Sequence, residues 1–522
     1  MSFDLEDLRR TAPLLLLSAA GLVLLLLEAF SRVRLIGRHY HKKLPPETSE
    51  AYAVPLAGSR TYLMPLTVLF LAAALGLVVW LWPEAAEPHY LYRRMLVLDR
   101  FGLLLSGVCI TAAAIGALGA PAYLREQRME FGEYYALLLL SLAGMVMLVS
   151  AADLVSLLLG VETMSLGAYV LTGSWRRSPR SSEAAMKYFL MGAFVSAILL
   201  YGIALIYGST GTTELAEVRA HLSEMRGAPI FYLGMFFLLA GLAFKIAAVP
   251  FHMWAPDVYE GAPTPVTGFM MAAVKTAAFG GLIRLCVGGL TSGRVPEVST
   301  GPTGWVNVLF VLSALSMTLG NLAALRQENI KRLLAYSSIA HAGYLLVGVV
   351  ALGVVGDAAR APLIYYLLGY AVTVVGAMAV VAALAMGPGQ ERLPIEQWAG
   401  LGQRHPAMAL AMTLFLLSLG GFPPTAGFFG KFYLFRAALQ NPSLLLLVLL
   451  AIVNSLVSVY YYLRIVTAMY FRTPQEEEVE GHVPAAQGAL RLAVLLAALL
   501  VLGLGVWPGW AATVAEAAKL AG

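Results

Sequence analysis

The sequence predicts an all-α protein that crosses a membrane many times. Hydrophobic residues make up 59% of its 522 residues and charged residues only 12%, whereas charged residues alone supply about a quarter of an average soluble domain. The mean hydropathy is +0.77. Apolar stretches long enough to cross roughly 30 Å of hydrocarbon recur along the whole chain. We therefore expect a polytopic helical membrane protein.

About fourteen stretches have the length and apolarity of transmembrane helices, and we number them as spans 1 to 14. They lie near residues 11–30, 62–82, 99–119, 133–149, 151–172, 185–207, 230–250, 264–290, 304–325, 332–355, 362–386, 406–439, 443–469 and 489–510. Spans 4 and 5 are nearly fused, so the count can differ by one.

The order of the spans divides the chain into four parts. These are an N-terminal three-helix segment (1–130), a first five-helix repeat (131–290, spans 4–8), a second five-helix repeat (303–470, spans 9–13), and an acidic loop with span 14 (471–522). The acidic loop contains Glu476, Glu477, Glu478 and Glu480.

Basic residues are concentrated in the loops that follow odd-numbered spans. Those loops contain Arg32, Arg34, Arg38, Lys42, Lys43, Arg125, Arg128, Arg176, Arg177, Arg180, Arg326, Lys331 and Arg332. The loops after even-numbered spans contain fewer: Arg93, Arg94, Arg219, Arg226, Arg294 and Arg360. The positive-inside rule then places both termini on the outer side of the membrane, which we expect to be a bacterial-type plasma (inner) membrane. No basic cluster with interleaved aromatic residues indicates nucleic-acid binding.

Five ionisable residues lie inside these spans, where a charge at the bilayer centre costs about 2.5 to 3.5 kcal/mol or more. They are Glu162 in span 5, Lys245 in span 7, Lys275 in span 8, His341 in span 10 and Lys431 in span 12. At 1.5 Å per residue, Glu162, Lys275 and His341 lie roughly 14 to 17 Å into their spans, which is close to the midplane. Intramembrane ionisable groups indicate function, and this set indicates proton movement.

Spans 7 and 12 are each interrupted by proline beside a lysine. Span 7 continues from Lys245 through Ile-Ala-Ala-Val to Pro250, and span 12 contains Pro423-Pro424 ahead of Lys431. Proline removes a backbone donor and clashes with the preceding turn. The freed backbone groups are tolerated at membrane depth only when buried in protein or facing a watered cavity. Paired broken helices point to a transport site between repeats, and the inverted order of lysine and break fits repeats of opposite topology.

Each candidate also has a structural interpretation. Glu162, with Ser165 and Tyr169 at helical spacing, is either hydrogen-bonded in the core or paired with a lysine whose charge it tunes. Lys245 and Lys431 are either proton carriers or clamps for the carbonyls freed at the breaks. Such roles are compatible, because a buried lysine can exist neutral as well as charged and a nearby carboxylate favours the charged form.

Three other residues are weighed in the same way. Lys275 has little structural reason to lie in the middle of a span. His341 shares a helical face with Ser337 and Ser338, and is either a proton relay, which its titration range suits, or a satisfied core histidine. Lys187 is four residues from Glu183 and is expected to form a surface pair with it.

The residues around the two breaks resemble a known family. The motifs are Gly160-Val-Glu162, the run from Phe244 to Val266 followed by Lys275-Thr276, the segment 329–341, and Gly420-Gly-Phe-Pro-Pro-Thr-Ala-Gly-Phe-Phe-Gly-Lys431. They are similar to the antiporter-like subunits of respiratory complex I and of the multisubunit sodium/proton antiporters. The resemblance covers about residues 130–470, and four long motifs occur in the expected order.

The resemblance implies a subunit of NADH:quinone oxidoreductase that moves protons through Glu162, Lys245, Lys275, His341 and Lys431, with Lys187 as an accessory site. It implies no redox cofactor in this chain. NADH, FMN, iron–sulfur clusters and quinone are expected in partner subunits, and the partners include neighbouring antiporter-like and small membrane subunits as well as the lipid bilayer.

Two alternatives stay open. The first is a subunit of a multisubunit sodium/proton antiporter, which would use the same residues without electron transfer. The second is a scaffold whose buried charges only lock helix packing, as buried ion pairs sometimes do. Cys109 and Cys286 lie in different apolar spans without paired spacing, so they predict neither a metal site nor an iron–sulfur site.

Overall fold

The predicted helical membrane fold is confirmed. A computed structural model describes residues 5–40, 62–293, 295–385, 391–473 and 488–521. Within these ranges, each of the fourteen predicted spans contains helix, and the strands found form one two-stranded hairpin. Residues outside the described ranges include Lys42, Lys43, Arg294, Glu476, Glu477, Glu478 and Glu480.

The helices follow the predicted order. The first half contains α1 (Leu5–Arg10), α2 (Ala12–Tyr40), α3 (Leu63–Leu81), α4 (Arg100–Glu126), α5 (Gly132–Val149), α6 (Leu154–Thr172), α7 (Pro179–Thr210), α8 (Leu215–Ala220), α9 (Pro229–Lys245), α10 (Ala255–Gly261), α11 (Thr264–Phe269) and α12 (Lys275–Ile283). The second half contains α13 (Pro296–Thr300), α14 (Trp305–Leu325), α15 (Ile330–Val355), α16 (Arg360–Ala383), α17 (Leu401–Arg404), α18 (Pro406–Gly420), α19 (Ala426–Ala438), α20 (Leu445–Phe471), α21 (Gly488–Val506) and α22 (Pro508–Ala517).

Smaller elements connect these helices. The antiparallel hairpin consists of β1 (His89–Leu91) and β2 (Leu96–Leu98). Single 3₁₀ turns occupy Glu84–Ala86, His221–Ser223, Gly356–Ala359, Ile395–Trp398 and Pro442–Leu444. π-Helical segments at Met270–Val274 and Arg284–Gly289 flank α12. Together with α11 they make span 8 one continuous helix over residues 264–289.

Eleven helical stretches in the described ranges are long and apolar enough to cross a membrane, and one of them, Ile330–Ala383, comprises both α15 and α16. The shorter apolar helices α9 and α18 form the first parts of the broken spans 7 and 12. Helix α10 follows the first break and α19 follows the second. The number of crossings, fourteen, therefore stays a prediction. Each of these elements supplies a helix to one of the predicted spans.

The first break begins earlier than expected. Helix α9 ends at Lys245, whereas the sequence predicted helix to about Pro250. Proline lacks the donor and disfavours helix at the preceding residue, and the chain already leaves the helix at Ala247, which has φ of 57°. The backbone N–H of Val249 instead donates to Ser316 Oγ of α14, at 2.8 Å. The freed backbone is thus buried in protein, as membrane depth requires.

The second break lies where the sequence predicted it. Helix α18 ends at Gly420, and Gly421 follows in the left-handed region with φ of 85°. The hydroxyl of Thr425 donates to the Phe422 carbonyl at 2.6 Å, and α19 begins at the next residue. Because glycine adopts a positive φ without steric penalty, this helix can end abruptly inside the bundle.

A close helix pair opens each predicted repeat. Helices α5 and α6 pack against each other, as do α14 and α15. A Cβ on Gly144 would clash with the backbone of Met164, and a Cβ on Gly320 would clash with that of Ala340. The two contacts have the same separation along the chain. Two related repeats would produce this correspondence, although the repeats themselves stay a prediction.

Both ends of the described chain lie at the same end of the bundle. The backbone N–H of Tyr92 donates to Asp7 Oδ2 at 2.9 Å, and the N–H of Phe101 donates to the Lys519 carbonyl at 3.3 Å. Residues 92 and 101 both lie just before or at the start of α4. The two termini are therefore on one side, and which side of the membrane this is stays a prediction.

A buried ion pair that the sequence did not predict joins three parts of the fold. Both terminal nitrogens of Arg284, in span 8, donate to the Asp99 carboxylate at 2.6 Å. Arg284 Nε also donates to the Val149 carbonyl, at 2.9 Å, and Asp99 caps α4 by accepting from the Gly102 N–H. Both side chains are only 3% exposed. Bidentate pairing is what makes this burial tolerable.

Replacing Arg284 with methionine should destabilise the protein severely, because the Asp99 carboxylate would stay buried without a cation. Removal of one partner from a buried ion pair typically costs about 3 to 5 kcal/mol. The midpoint of thermal unfolding of the purified protein in detergent is the measurement. The control is Arg94→Met, because Arg94 also lies 2.6 Å from a carboxylate, Glu214, but is exposed, and such pairs contribute little. Equal midpoints for the two variants would contradict the assignment.

Candidate functional site

Lys245 ends α9 in contact with two hydroxyl groups of α6. Its ammonium donates to Ser165 Oγ at 2.8 Å and to Tyr169 OH at 3.0 Å, and the side chain is almost completely buried. Neither partner is a carbonyl of the break. The interpretation of Lys245 as a clamp for the freed carbonyls is therefore wrong. The groups that Lys245 contacts directly are side chains of α6.

Glu162 lies near the middle of α6, as predicted, and is partly exposed at the side of the bundle. Its carboxylate accepts a hydrogen bond from Ser196 of α7. The sequence suggested a carboxylate paired with a lysine, but the described residues contain no such contact. Ser165, three residues after Glu162 on the same helix, is the residue that contacts Lys245. Glu162 and Lys245 thus lie in the same part of the bundle without an ion pair.

Lys275 directly follows the π-helical segment Met270–Val274 near the middle of span 8. π-Helical turns inside α-helices are rare and frequently occur at functional sites. The ammonium of Lys275 donates to the Ser338 carbonyl at 2.6 Å and to the Ser338 hydroxyl. It also lies 5.7 Å from the centre of the Tyr370 ring. The hydrogen bonds of Lys275 therefore join span 8 of the first predicted repeat to α15 of the second.

His341 lies near the middle of α15 in a cluster of tyrosines. Its Nδ1 is 2.7 Å from Tyr366 OH, and its Nε2 is 3.3 Å from Tyr462 OH. The Tyr370 ring lies 5.0 Å away and the Tyr344 ring 5.6 Å away, between ring centres. Both ring nitrogens have hydroxyl partners that can donate or accept, so this histidine is satisfied and is also connected to a hydroxyl network.

Lys431 contacts the second break directly. Its ammonium donates to the carbonyls of Leu419 at 3.0 Å and Gly420 at 3.3 Å, and to Ser455 Oγ at 2.8 Å. It lies 4.9 Å from the centre of the Tyr344 ring. The three ammonium hydrogens therefore have three neutral oxygen acceptors. The clamp that the sequence allowed for both lysines is found at Lys431.

The five residues form two clusters. Glu162 and Lys245 make the first. The second contains Lys275, His341 and Lys431, because the Tyr370 ring lies against both Lys275 and His341 and the Tyr344 ring lies against both Lys431 and His341. No described hydrogen bond joins Lys245 to Lys275, so the described side chains do not form an unbroken chain across the molecule.

Lys187 lies outside both clusters. Its ammonium is 2.7 Å from Glu183 Oε1, as predicted, and 2.8 Å from Asp257 Oδ2, which was not predicted. The Lys187 side chain is 41% exposed. The surface pair is therefore confirmed, and its second partner connects it to the segment that follows the first break.

Sequence reasoning named Ser165, Tyr169, Ser337 and Ser338 but missed the other tyrosines and the asparagine around the lysines and His341. The hydroxyl of Tyr370 donates to Ser338 at 2.8 Å, and Ser337 bonds to Tyr462. Asn321 of α14 donates to Tyr344 OH at 2.8 Å and accepts from Tyr461 OH at 2.9 Å. The available signal was the number of tyrosines within otherwise aliphatic spans, since buried tyrosine hydroxyls need partners.

Sequence reasoning also misjudged other cations. It did not count Arg284 among the residues inside spans, and it treated Lys331 as a loop charge. Lys331 is fully buried in the first turn of α15 and lies 3.1 Å from Glu391 Oε2. Cys109 and Cys286 are both buried and unpaired with each other. In the described ranges, no three His, Cys, Asp or Glu residues are grouped to hold a metal ion.

Comparison with known proteins agrees with this architecture. Residues 151–458 match the family described as NADH:quinone oxidoreductase/Mrp antiporter, transmembrane. A relative from Sorangium cellulosum named NADH-quinone oxidoreductase subunit N 1 is 45% identical over 515 residues, which cover 98% of each chain. A relative from Myxococcus xanthus named NADH-quinone oxidoreductase subunit N is 41% identical over 484 residues, which cover 87% of this chain and 91% of the relative.

Solved structures also match this chain over almost its whole length. A chain of respiratory complex I from Thermus thermophilus is 33% identical, with a TM-score of 0.76, and the match covers 97% of this chain and 100% of that one. A chain of the Mrp complex from a Dietzia species is 22% identical, with a TM-score of 0.78, over 98% and 96% of the two chains; this likeness shows the fold alone. The chain therefore belongs to the family of antiporter-like membrane subunits of NADH:quinone oxidoreductase and Mrp antiporters, among the relatives named subunit N.

Proposed function

We propose that this chain translocates protons across the membrane as a subunit of NADH:quinone oxidoreductase. The route runs through Glu162, Lys245, Lys275, His341 and Lys431, and it is coupled to NADH oxidation and quinone reduction in partner subunits. Relatives that match almost the whole chain and carry the name NADH-quinone oxidoreductase subunit N support this assignment.

One observation carries the proposal. The ammonium groups of Lys245, Lys275 and Lys431 are buried, and their hydrogen-bond acceptors are neutral hydroxyl and carbonyl oxygens. In the described part of the chain, no carboxylate lies within ion-pair distance of any of them. Burial without a counter-charge disfavours the charged state of an amine. These lysines are therefore placed to release and regain a proton.

Two other buried cations provide the contrast. Arg284 forms a bidentate pair with Asp99, and Lys331 pairs with Glu391. A buried charge with a structural role needs such a partner. The absence of one at the three lysines separates them from the structural cations of the same molecule, and it weighs against the interpretation of the chain as a scaffold locked by buried charges.

The surroundings also allow the affinity for a proton to change. Glu162 lies three residues before Ser165, which contacts Lys245, so a modest displacement of either group would alter how strongly the charged lysine is favoured. In the second cluster, the Ser338 hydroxyl bonds to Lys275 and Tyr370, and the Tyr366 and Tyr462 hydroxyls lie beside His341. Hydroxyls both donate and accept, so each set can exchange a proton with the lysine or the imidazole that it contacts.

Redox-linked translocation is better supported than sodium/proton antiport. The Mrp complex match is 22% identical and shows the fold alone, whereas the relatives at 41 to 45% identity are named as subunits of NADH-quinone oxidoreductase. We accordingly propose neighbouring antiporter-like and small membrane subunits as partners. NADH, FMN, iron–sulfur clusters and quinone would be bound by other subunits, and the location would be the bacterial plasma membrane with both termini outside.

Purification of the tagged chain in mild detergent tests this assignment. We expect flavin- and iron–sulfur-containing subunits to co-purify, and the complex to oxidise NADH with quinone as acceptor. Spectra of the complex and identification of its subunits by mass spectrometry are the measurements. Recovery of small membrane subunits alone, without flavin, would instead identify an antiporter.

Glu162→Gln should abolish proton pumping through this chain while leaving the complex assembled. The amide can still accept from Ser196, but it cannot carry the charge that acts on Lys245. Positioned acid–base groups contribute about 10²- to 10⁴-fold to proton-transfer steps, and Glu162→Asp should retain part of the activity. Acidification of inverted vesicles during NADH oxidation is the measurement, with Glu217→Gln as the exposed control. Normal pumping by an assembled Gln variant would refute the role of Glu162.

Lys431→Arg should impair proton flux almost as strongly as Lys431→Ala. Arginine keeps the positive charge and donors for the Leu419 and Gly420 carbonyls, but it does not deprotonate at any working pH. A clamp would accept arginine, whereas a relay would not. Flux in vesicles with matched assembly separates the two, and Lys519→Arg, at an exposed lysine, controls for the substitution. Full activity of the Arg variant would show that Lys431 is only a clamp.

A further inference from the structure

The two helix ends that meet at the second break pack against α16. Thr373 Oγ1 of α16 lies 3.0 Å from Ser418 Oγ of α18, and a Cβ on Gly369 of α16 would lie 3.2 Å from the Cβ of Ala426, where α19 begins. The N–H of Gly427 also donates to the Ser418 hydroxyl, at 3.1 Å. Helix α16 therefore holds the ends of α18 and α19 together.

Helix α21, which is span 14, contacts the segment between those two ends. Gly505 is the last residue but one of α21. A Cβ on it would lie 2.6 Å from Thr425 Cα and would clash with the Pro424 carbonyl, so glycine is what allows this close approach of two backbones. At Gly503 of the same helix, no described atom lies within 4 Å of an added Cβ. An added methyl group is therefore blocked at one glycine and free at the other.

Tyr365 of α16 fixes this end of α21. The carbonyl of Leu504, next to Gly505, has no donor in its own helix, because the residue four positions later is Pro508, which lacks an N–H. The buried Tyr365 hydroxyl donates to that carbonyl at 2.5 Å. The Tyr365 ring also meets the ring of Tyr433 in α19 edge to face, at 5.4 Å between centres. One tyrosine thus holds both helices beside the break.

The contact at Gly505 affects Lys431 from both sides of the break. The carbonyls of Leu419 and Gly420, which accept from the Lys431 ammonium, end α18 just before the contacted segment. Lys431 itself belongs to α19, which begins just after it. A shift of this segment therefore changes the distance between the ammonium and its acceptors, and hydrogen bonds weaken steeply when their geometry is lost.

We propose that Gly505 and Tyr365 are positioning residues of the Lys431 site. Gly505 lets α21 lie directly against the break, and Tyr365 holds the end of α21 there, so that the freed carbonyls stay directed at the ammonium. Because interiors are close-packed, a single added methyl group is felt at such a contact. This inference rests on the proposed proton translocation and adds span 14, which carries none of the five residues of the proposed route.

The test uses four variants of the intact complex. Gly505→Ala adds a methyl group where the backbone of the break lies. Gly503→Ala adds the same group at an open position of the same helix and is the matched control. Tyr365→Phe removes only the hydroxyl and keeps the ring against Tyr433, so it tests the inference even if Gly505→Ala fails to assemble. Lys431→Ala is the reference for loss of the site.

Protons pumped per NADH oxidised are measured in vesicles over a range of pH, with assembly checked by native gel electrophoresis. We expect Gly505→Ala to lower pumping about fivefold, the factor that one ordinary hydrogen bond contributes to an equilibrium. Tyr365→Phe should lower it about two- to fivefold for the same reason, and Gly503→Ala should match the wild type.

The pH profile separates positioning from stability. Lys431 faces two carbonyls, Ser455 of α20 and the Tyr344 ring of α15, and His341 lies against the same ring. Carbonyls that are drawn away favour the charged ammonium less. The alkaline limb of the profile should therefore lie at lower pH in Gly505→Ala and Tyr365→Phe, whereas a loss of stability alone would scale the rate equally at every pH.

Three results would overturn the inference while Lys431→Ala is inactive and the proposed function stands. The first is an assembled Gly505→Ala variant that pumps as Gly503→Ala does. The second is normal pumping by Tyr365→Phe. The third is a loss of equal size at every pH, which would show that the contact only stabilises the fold. Normal pumping by an assembled Lys431→Ala variant would instead refute the proposed proton route, and the positioning role with it.

Discussion

The central constraint on this structure is the burial of ammonium groups without counter-ions. An amine inside a helical bundle needs oxygen acceptors for each hydrogen, and a carboxylate would satisfy it so well that its charge would become permanent. At Lys245, Lys275 and Lys431 the acceptors are hydroxyls and carbonyls. These solvate the ion without neutralising it. The carbonyls at the second helix break and the hydroxyls of buried serines and a tyrosine supply these oxygens.

The two breaks solve this problem in different ways. At the second break, the carbonyls left without partners at the end of α18 become ligands of Lys431 itself. At the first, the freed backbone is satisfied by Ser316 of α14, and Lys245 takes its acceptors from α6. The second break therefore supplies hydrogen-bond acceptors to its lysine directly, whereas the first break does not, although each break lies beside a lysine in the sequence.

The sequence alone predicted the helical spans, the second break, and the position of Glu162, Lys275 and His341 near the middle of their helices. Hydropathy and residue spacing depend only on residues that are close together in the chain, so the sequence is enough to read them. It did not predict that α9 ends at Lys245, because that end depends on Ser316, far away along the chain. Nor did it predict the pairs made by Arg284 and Lys331, since choosing a partner for a buried charge requires knowing which helices are neighbours.

The pair between Arg284 and Asp99 has a consequence for how the protein is made. The two residues are 185 positions apart, and Asp99 Oδ2 also accepts from the backbone N–H of Ala521, 422 positions later. During synthesis from the N-terminus, the carboxylate reaches the membrane long before either partner exists. Until then, the carboxylate lacks the cation that makes its burial tolerable. The contact that holds the start of α4 is therefore formed by residues that are far apart in the order of synthesis.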